Sequence, residues 1–136
     1  MNSEQPDESA AATVLVIDDD EDTRIIFSLL LEHAGLRVQT ACTGDEGLRI
    51  ALSARPSVIL LDIGLPVFDG FEVMRQLRSA PGQTIPVIAV SGRVMTYQQE
   101  ALQHHGFARV LLKPVTPSAV LEAIGEVLAR STRQSD

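Results

Sequence analysis

Five polar side chains stand where apolar runs stop. Asp18 and Asp19 follow Thr13-Val14-Leu15-Val16-Ile17, and Asp62 closes Ser57-Val58-Ile59-Leu60-Leu61. Ser91 follows Ile85-Pro86-Val87-Ile88-Ala89-Val90, and Lys113 ends the run from Phe107 to Leu112. An apolar run without polar alternation is a strand buried on both faces, and open parallel α/β sheets bind ligands beyond the carboxyl ends of their strands. Three carboxylates gathered there repel one another, each pair at about 4 Å by roughly 4 kcal/mol at an effective dielectric near 20. Either Lys113 or a hard divalent cation relieves that repulsion. Oxygen donors with no His or Cys nearby select Mg2+. A metal, a fixed ammonium, a hydroxyl and a carboxylate able to form an acyl phosphate are the parts of phosphoryl transfer. Asp62 is then the nucleophile, and Gly64, with no side chain in the way, leaves its carbonyl open as a metal ligand. In the simpler alternative, Asp18 and Asp19 only cap a helix and Lys113 is a solvated charge. That accounts for each residue singly but not for their convergence.

Those side chains need elements to hold them, and the chain alternates strand and helix five times. The spacing predicts a helix from Glu21 to Ala34, punctuated by Gly35. Thr23, Ile26, Phe27, Leu30 and Ala34 form its expected core stripe. Leu36, Val38 and Thr40 alternate with Arg37 and Gln39, the pattern of a half-exposed edge strand. Thr43-Gly44-Asp45-Glu46 matches a capping box; the helix it opens carries Leu48, Ala51 and Leu52 inward and ends before Pro56. Gly64, Pro66 and Asp69-Gly70 turn the chain after Asp62. A third helix with Phe71, Met74 and Leu77 inward runs to Ser79, and Ala80 to Gln83 form a loop. A weak fourth helix is predicted from Thr96 to His105. Thr116-Pro117 reads as the N-cap and first residue of a fifth, with Val120, Leu121, Ile124 and Leu128 inward and a polar tail from Ser131. Strict alternation predicts a parallel sheet with helices on both faces. With the alternating second strand at an edge and the first and third central, the order is 2-1-3-4-5. This is the flavodoxin-like, doubly wound α/β fold with five strands and five helices, its switch point between the first and third strands.

The totals set limits. The 136 residues make one domain, over residues 12–131, between a disordered acidic tail at 1–11 and a polar tail at 132–136. A net charge of −7 argues against nucleic acid or an anionic membrane as partner. The single Cys42 cannot close an internal disulfide and is expected as a small, half-buried strand residue in a reducing compartment. The start fits no signal peptide, and no apolar run reaches membrane-spanning length, so a cytoplasmic protein is expected. Asp18, Asp20 and Asp22 begin like a calcium loop, but Gly is missing at its sixth position and Leu29 stands where the bidentate Glu belongs. The same acidic run lacks the last residue of an aspartate-nucleophile hydrolase motif, and three acids would repel a flavin phosphate. His33, His104 and His105 are expected at the surface, Met95 and Tyr97 in packing.

With these motifs in place, the chain resembles the receiver domain of bacterial two-component response regulators from about Thr13 to Arg130. The acid pair of that family appears as Asp18-Asp19, its phosphoacceptor motif as LLDIGLPVFDG around Asp62, its hydroxyl as Ser91 and its Lys-Pro as Lys113-Pro114. The resemblance implies phosphorylation of Asp62 by a histidine kinase or a histidine phosphotransfer protein. It implies Mg2+ held by Asp19, Asp62 and the Gly64 carbonyl, with Asp18 acting largely through metal-bound water. Ser91 and the Gly92 N–H would receive phosphoryl oxygens, Lys113 would pair with the phosphoryl group, and Lys113-Pro114 would be cis. Such a protein is no enzyme beyond its own phosphorylation and slow self-dephosphorylation. The chain departs from the family at Val110, where most members carry Tyr or Phe. The usual signalling ring between the last strand and the helices beside it is therefore missing. Gly64 and Arg93 occupy positions that tune hydrolysis in the family.

On the first helix Ile25 and Leu29, one turn apart, point away from the expected core stripe, and we expect them to pack against the helix bearing the donor histidine. The function expected is a phosphoacceptor in a two-component system or phosphorelay, signalling to a downstream protein or passing the phosphoryl group onward. The alternatives are an interaction module that keeps the fold without the chemistry, or a receiver belonging to a hybrid histidine kinase. A stand-alone protein is the expectation from the initial Met, and a piece of such a hybrid kinase fits it equally.

Overall fold

The computed structural model describes residues 11–65, 69–81, 84–92 and 106–134. The expectations placed on the first ten residues, Pro66, Gly82, Gln83, Arg93, Met95, the helix from Thr96 to His105 with its Tyr97, and His104 and His105 lie outside the described residues. Within them are β1 (Thr13–Ile17), α1 (Glu21–His33), β2 (Arg37–Ala41), α2 (Gly44–Ala54), β3 (Val58–Asp62), α3 (Gly70–Ser79), β4 (Val87–Ser91), β5 (Arg109–Leu112) and α4 (Pro117–Gln134). All strand pairs are parallel, in the order β2-β1-β3-β4-β5. The edge position of β2 follows from its half-polar sequence: Arg37, Gln39 and Thr40 are exposed.

The two-fold period of the strands sorts their apolar residues onto two cores. Val14, Val16, Val58, Leu60, Ile88 and Val90 face Leu31 of α1 and Val120, Ala123, Ile124 and Val127 of α4. Leu15, Ile17, Ile59, Leu61 and Val87 face Ala51 of α2 and Val73, Met74 and Leu77 of α3. Both faces are covered, so the central strands are apolar throughout and only their ends carry polar groups.

Several inward assignments change. Ile26 is 59% exposed, while Leu31, outside the expected stripe, is fully buried. α1 is turned so that Phe27, Leu30 and Leu31 meet the sheet. Leu52 of α2 is on the surface and Gly47 is buried in its place, where an added Cβ would lie 2.4 Å from Ile17 Cδ1. α2 can approach β1 that closely only without a side chain at 47. Phe71 is half-buried, and Val73 takes the inward position beside Met74 and Leu77. Leu121 and Leu128 are only partly buried; Ala123 and Val127 complete the inner stripe of α4. Cys42 is exposed just beyond β2 rather than half-buried within it. Glu46 reaches back to the Cys42 N–H at 2.9 Å, one residue before the Thr43 cap that a capping box would engage. β4 begins at Val87, after Pro86, whose carbonyl accepts from Ile59 N–H at 3.0 Å. β5 begins at Arg109 rather than Phe107. Thr116 caps α4, its Oγ1 accepting from Ala119 N–H at 3.1 Å, and the helix continues to Gln134, past the expected start of the polar tail. Among the described residues no helix is long and apolar enough to cross a membrane.

Candidate functional site

The strand ends bring the five sequence-identified side chains to one edge of the sheet. β1 ends at Ile17 and β3 at Asp62, and the two strands are direct neighbours, so Asp18, Asp19 and Asp62 meet at the switch point. Their carboxylates offer ligand oxygens that all lie within 4.8 Å of one another. Such an all-oxygen donor set suits a hard divalent cation. The three differ in environment. Asp18 is 3% exposed, Asp62 is 6% exposed, and Asp19 is open to solvent.

One Asp62 oxygen, Oδ1, accepts the Gly64 N–H at 2.9 Å, and Oδ2 faces Lys113 Nζ at 3.5 Å. Lys113 comes from the end of β5, where its N–H donates to the Ser91 carbonyl at 2.8 Å and the peptide to Pro114 is cis. Ser91, 6% exposed, ends β4 beside it. Asp19, Asp62, Gly64, Ser91, Gly92 and Lys113 line a cavity of about 500 Å3 together with Ile63, Asp69 and Phe71. Asp18 is not in that wall. Its Oδ1 accepts the Asp20 N–H at 2.8 Å. Burial, foremost, raises the Asp18 pKa; the charges of Asp62 and Asp19 add to the rise, while the Asp20 N–H and Lys113 oppose it.

Asp69 and Phe71 went unnoticed in the sequence as members of this site. Asp69 caps α3, its Oδ1 accepting from Glu72 N–H at 3.0 Å. The signal was present in Asp69-Gly70-Phe71-Glu72, which places an N-cap residue three before a Glu. Gly70 lets α3 start against the β3 turn: a Cβ there would lie 2.8 Å from Ile63 Cα and 3.0 Å from the Asp62 carbonyl oxygen. Space makes no such demand at Gly64, where a Cβ would meet only Asp62 Oδ1 at 3.6 Å. Val110 is half-buried in β5, and Arg109 next to it forms an ion pair with Glu126 of α4.

Ile25 and Leu29 are 49% and 64% exposed, and Ile26 joins them, so the patch on α1 holds three aliphatics. Beside it Thr23, Ile26, Phe27 and Val90 face Lys113, Pro114 and Val115 across a mostly apolar groove of about 500 Å3. Lys113 therefore borders both the acid cavity and this groove.

A doubly wound sheet of this order, with an acid cavity at its switch point, defines a flavodoxin-like α/β protein. The family model for the response regulator receiver domain matches residues 14–125. Protein PilH of Pseudomonas aeruginosa is 35% identical over 101 residues, 74% of this chain and 84% of PilH. Transcriptional regulatory protein AfsQ1 of Streptomyces coelicolor is 34% identical over 112 residues, 82% of this chain but 49% of that protein, so this chain spans about half its length. The crystal structure of a CheY-like response regulator receiver domain protein from Methanospirillum hungatei superposes with a TM-score of 0.84 at 28% identity, covering 91% of this chain and 98% of that one. The chain belongs to the response regulator receiver domain family of two-component systems.

Proposed function

We propose that this protein takes a phosphoryl group from a phosphohistidine donor onto Asp62 and signals by binding a partner or passing the group onward. The observation that carries the reading is the placement of Asp62, one oxygen anchored by Gly64 N–H and the other facing Lys113 at 3.5 Å. In the transfer the donor's N–P bond breaks as an Asp62 O–P bond forms, and the departing imidazole keeps the bonding pair and takes up a proton. Lys113 offsets charge on the incoming group, while Ser91 and Gly92, which line the same cavity, would receive its oxygens. Asp18, Asp19, Asp62 and the Gly64 carbonyl would hold Mg2+, which supplies the positive charge that lets an anionic phosphoryl group approach three acids. The protein is consumed and regenerated as an acceptor rather than acting as an enzyme on a separate substrate. It works in the cytoplasm, where a histidine kinase or phosphotransfer protein would reach it.

A small phosphodonor such as acetyl phosphate tests the chemistry. Labelling should require Mg2+ and yield a hydroxylamine-labile bond; labelling in excess EDTA, or a hydroxylamine-stable product, would refute it.

The α1 patch and the groove beside Lys113 support docking of the donor's helix there. Ile25→Asp with Leu29→Asp should slow transfer from the cognate donor by roughly 100-fold, the effect of losing about 3 kcal/mol at an interface. The same double variant should be labelled by acetyl phosphate at the wild-type rate. Equal loss with both donors would count against docking.

A further inference from the structure

Arg24 lies in α1 outside the acid cavity, yet its Nη1 donates to the backbone carbonyl oxygen of Asp18 at 2.8 Å. The peptide groups next to that carbonyl are held as well. The Asp18 N–H donates to the Ala41 carbonyl of β2 at 3.1 Å, pinning the segment to the sheet. Asp18 Oδ1 accepts the Asp20 N–H at 2.8 Å, which fixes the peptide joining Asp19 to Asp20. Asp20 in turn caps α1, Oδ2 accepting the Thr23 N–H at 2.8 Å and the Thr23 hydroxyl at 2.6 Å. Asp19, the exposed acid of the cluster, thus hangs between two peptide units. The Asp18 carboxylate holds the second of them, and the Arg24 guanidinium holds the first.

We infer that Arg24 is a positioning residue for Asp19: by holding the peptide between Asp18 and Asp19 it sets the direction from which the Asp19 carboxylate enters the cavity. The inference rests on reading the acid cluster as a divalent-cation site. A rotation of about 20° around that peptide moves a side-chain oxygen by roughly 1 Å, given standard backbone dimensions. Mg2+ accepts little of that error, since it requires near-ideal octahedral geometry, whereas Ca2+ takes oxygens over a wider range of distances and angles. Arg24 as a mere nearby charge has the opposite consequence: removing a cation beside a cation site tightens binding. The two roles therefore differ in sign.

Calorimetric titration of the full chain with Mg2+ and with Ca2+, together with melts in EDTA, separates them. Arg24→Met should weaken Mg2+ binding about 10-fold, the scale of an outer partner that orients a ligand. Ca2+ binding should fall by less than about 3-fold, because its coordination is more forgiving. Arg24→Lys, which keeps a donor on a long stem, should recover most of the Mg2+ affinity. If Arg24→Met does not fold, Arg24→Ala, which also removes the donor, serves for the same comparison. Unchanged or tighter Mg2+ binding, or an equal loss for both ions, overturns the positioning role alone. A wild-type chain that binds neither ion overturns the cation-site reading, and this inference with it.

Discussion

Asp62→Asn is expected to abolish Mg2+-dependent binding of beryllofluoride, a mimic of the acyl phosphate, and to remove all labelling by acetyl phosphate. The amide is a poor nucleophile, so no O–P bond forms at the strand end. The fold should survive the change, because an Asn oxygen can still accept the Gly64 N–H that Asp62 Oδ1 accepts at 2.9 Å. Substitution also removes one of three mutually repelling carboxylates. Against that stands the loss of the Lys113 pair at 3.5 Å, whose lysine is 41% exposed and whose worth is correspondingly small. Thermal stability in EDTA should therefore stay near wild type while the fluorine signal of bound beryllofluoride disappears. Signal persisting in a well-folded Asn variant would move the acceptor elsewhere.

What could be read from the chain beforehand follows from how strongly each residue type constrains its surroundings. Val58 to Leu61 admit almost no reading but a strand covered on both faces, and Arg37 and Gln39 admit little but an edge. Together those two facts set the strand order, which in turn gathers Asp18, Asp19, Asp62, Ser91 and Lys113. The rotation of α1 was not legible, because Ile25, Ile26, Phe27, Leu29, Leu30 and Leu31 spread apolar side chains over well more than half of its circumference. A 100° period gives little contrast within so wide a face, and Ile26 and Leu31 exchange places. Gly47 gives no hydropathic signal, although its missing side chain sets how closely α2 approaches Ile17. The extension of α4 to Gln134 rests on backbone hydrogen bonding that polar residues continue as well as apolar ones. Arg24 escaped for a related reason: it bonds a main-chain carbonyl, and no spacing of side-chain types announces that.

The second large effect is expected at Asp18, whose carboxylate should cost stability without a bound cation and help to hold one when it is supplied. Burial, aided by the charges of Asp62 and Asp19, raises its pKa above the ordinary 3.8. Between 3.8 and the raised value the folded chain binds more protons than the unfolded one, so the Asp18 contribution to stability falls as pH rises through that window. Above the window the loss is complete and constant, and there the ionised side chain works against folding. Asp18→Asn removes the charge and keeps an oxygen for the Asp20 N–H, now accepted at 2.8 Å. In EDTA at neutral pH the variant should melt higher than wild type, because the buried charge that raises the Asp18 pKa is gone. The advantage should vanish below about pH 4, where the wild-type group is protonated folded or unfolded. Saturating Mg2+ should reverse the order, because an ion that binds only the folded chain stabilises it by RT ln(1 + [L]/Kd) and the variant has the weaker site. A variant that melts lower than wild type in EDTA at neutral pH would show that the Asp18 charge is structural, and a ranking unmoved by Mg2+ would show that it serves no cation.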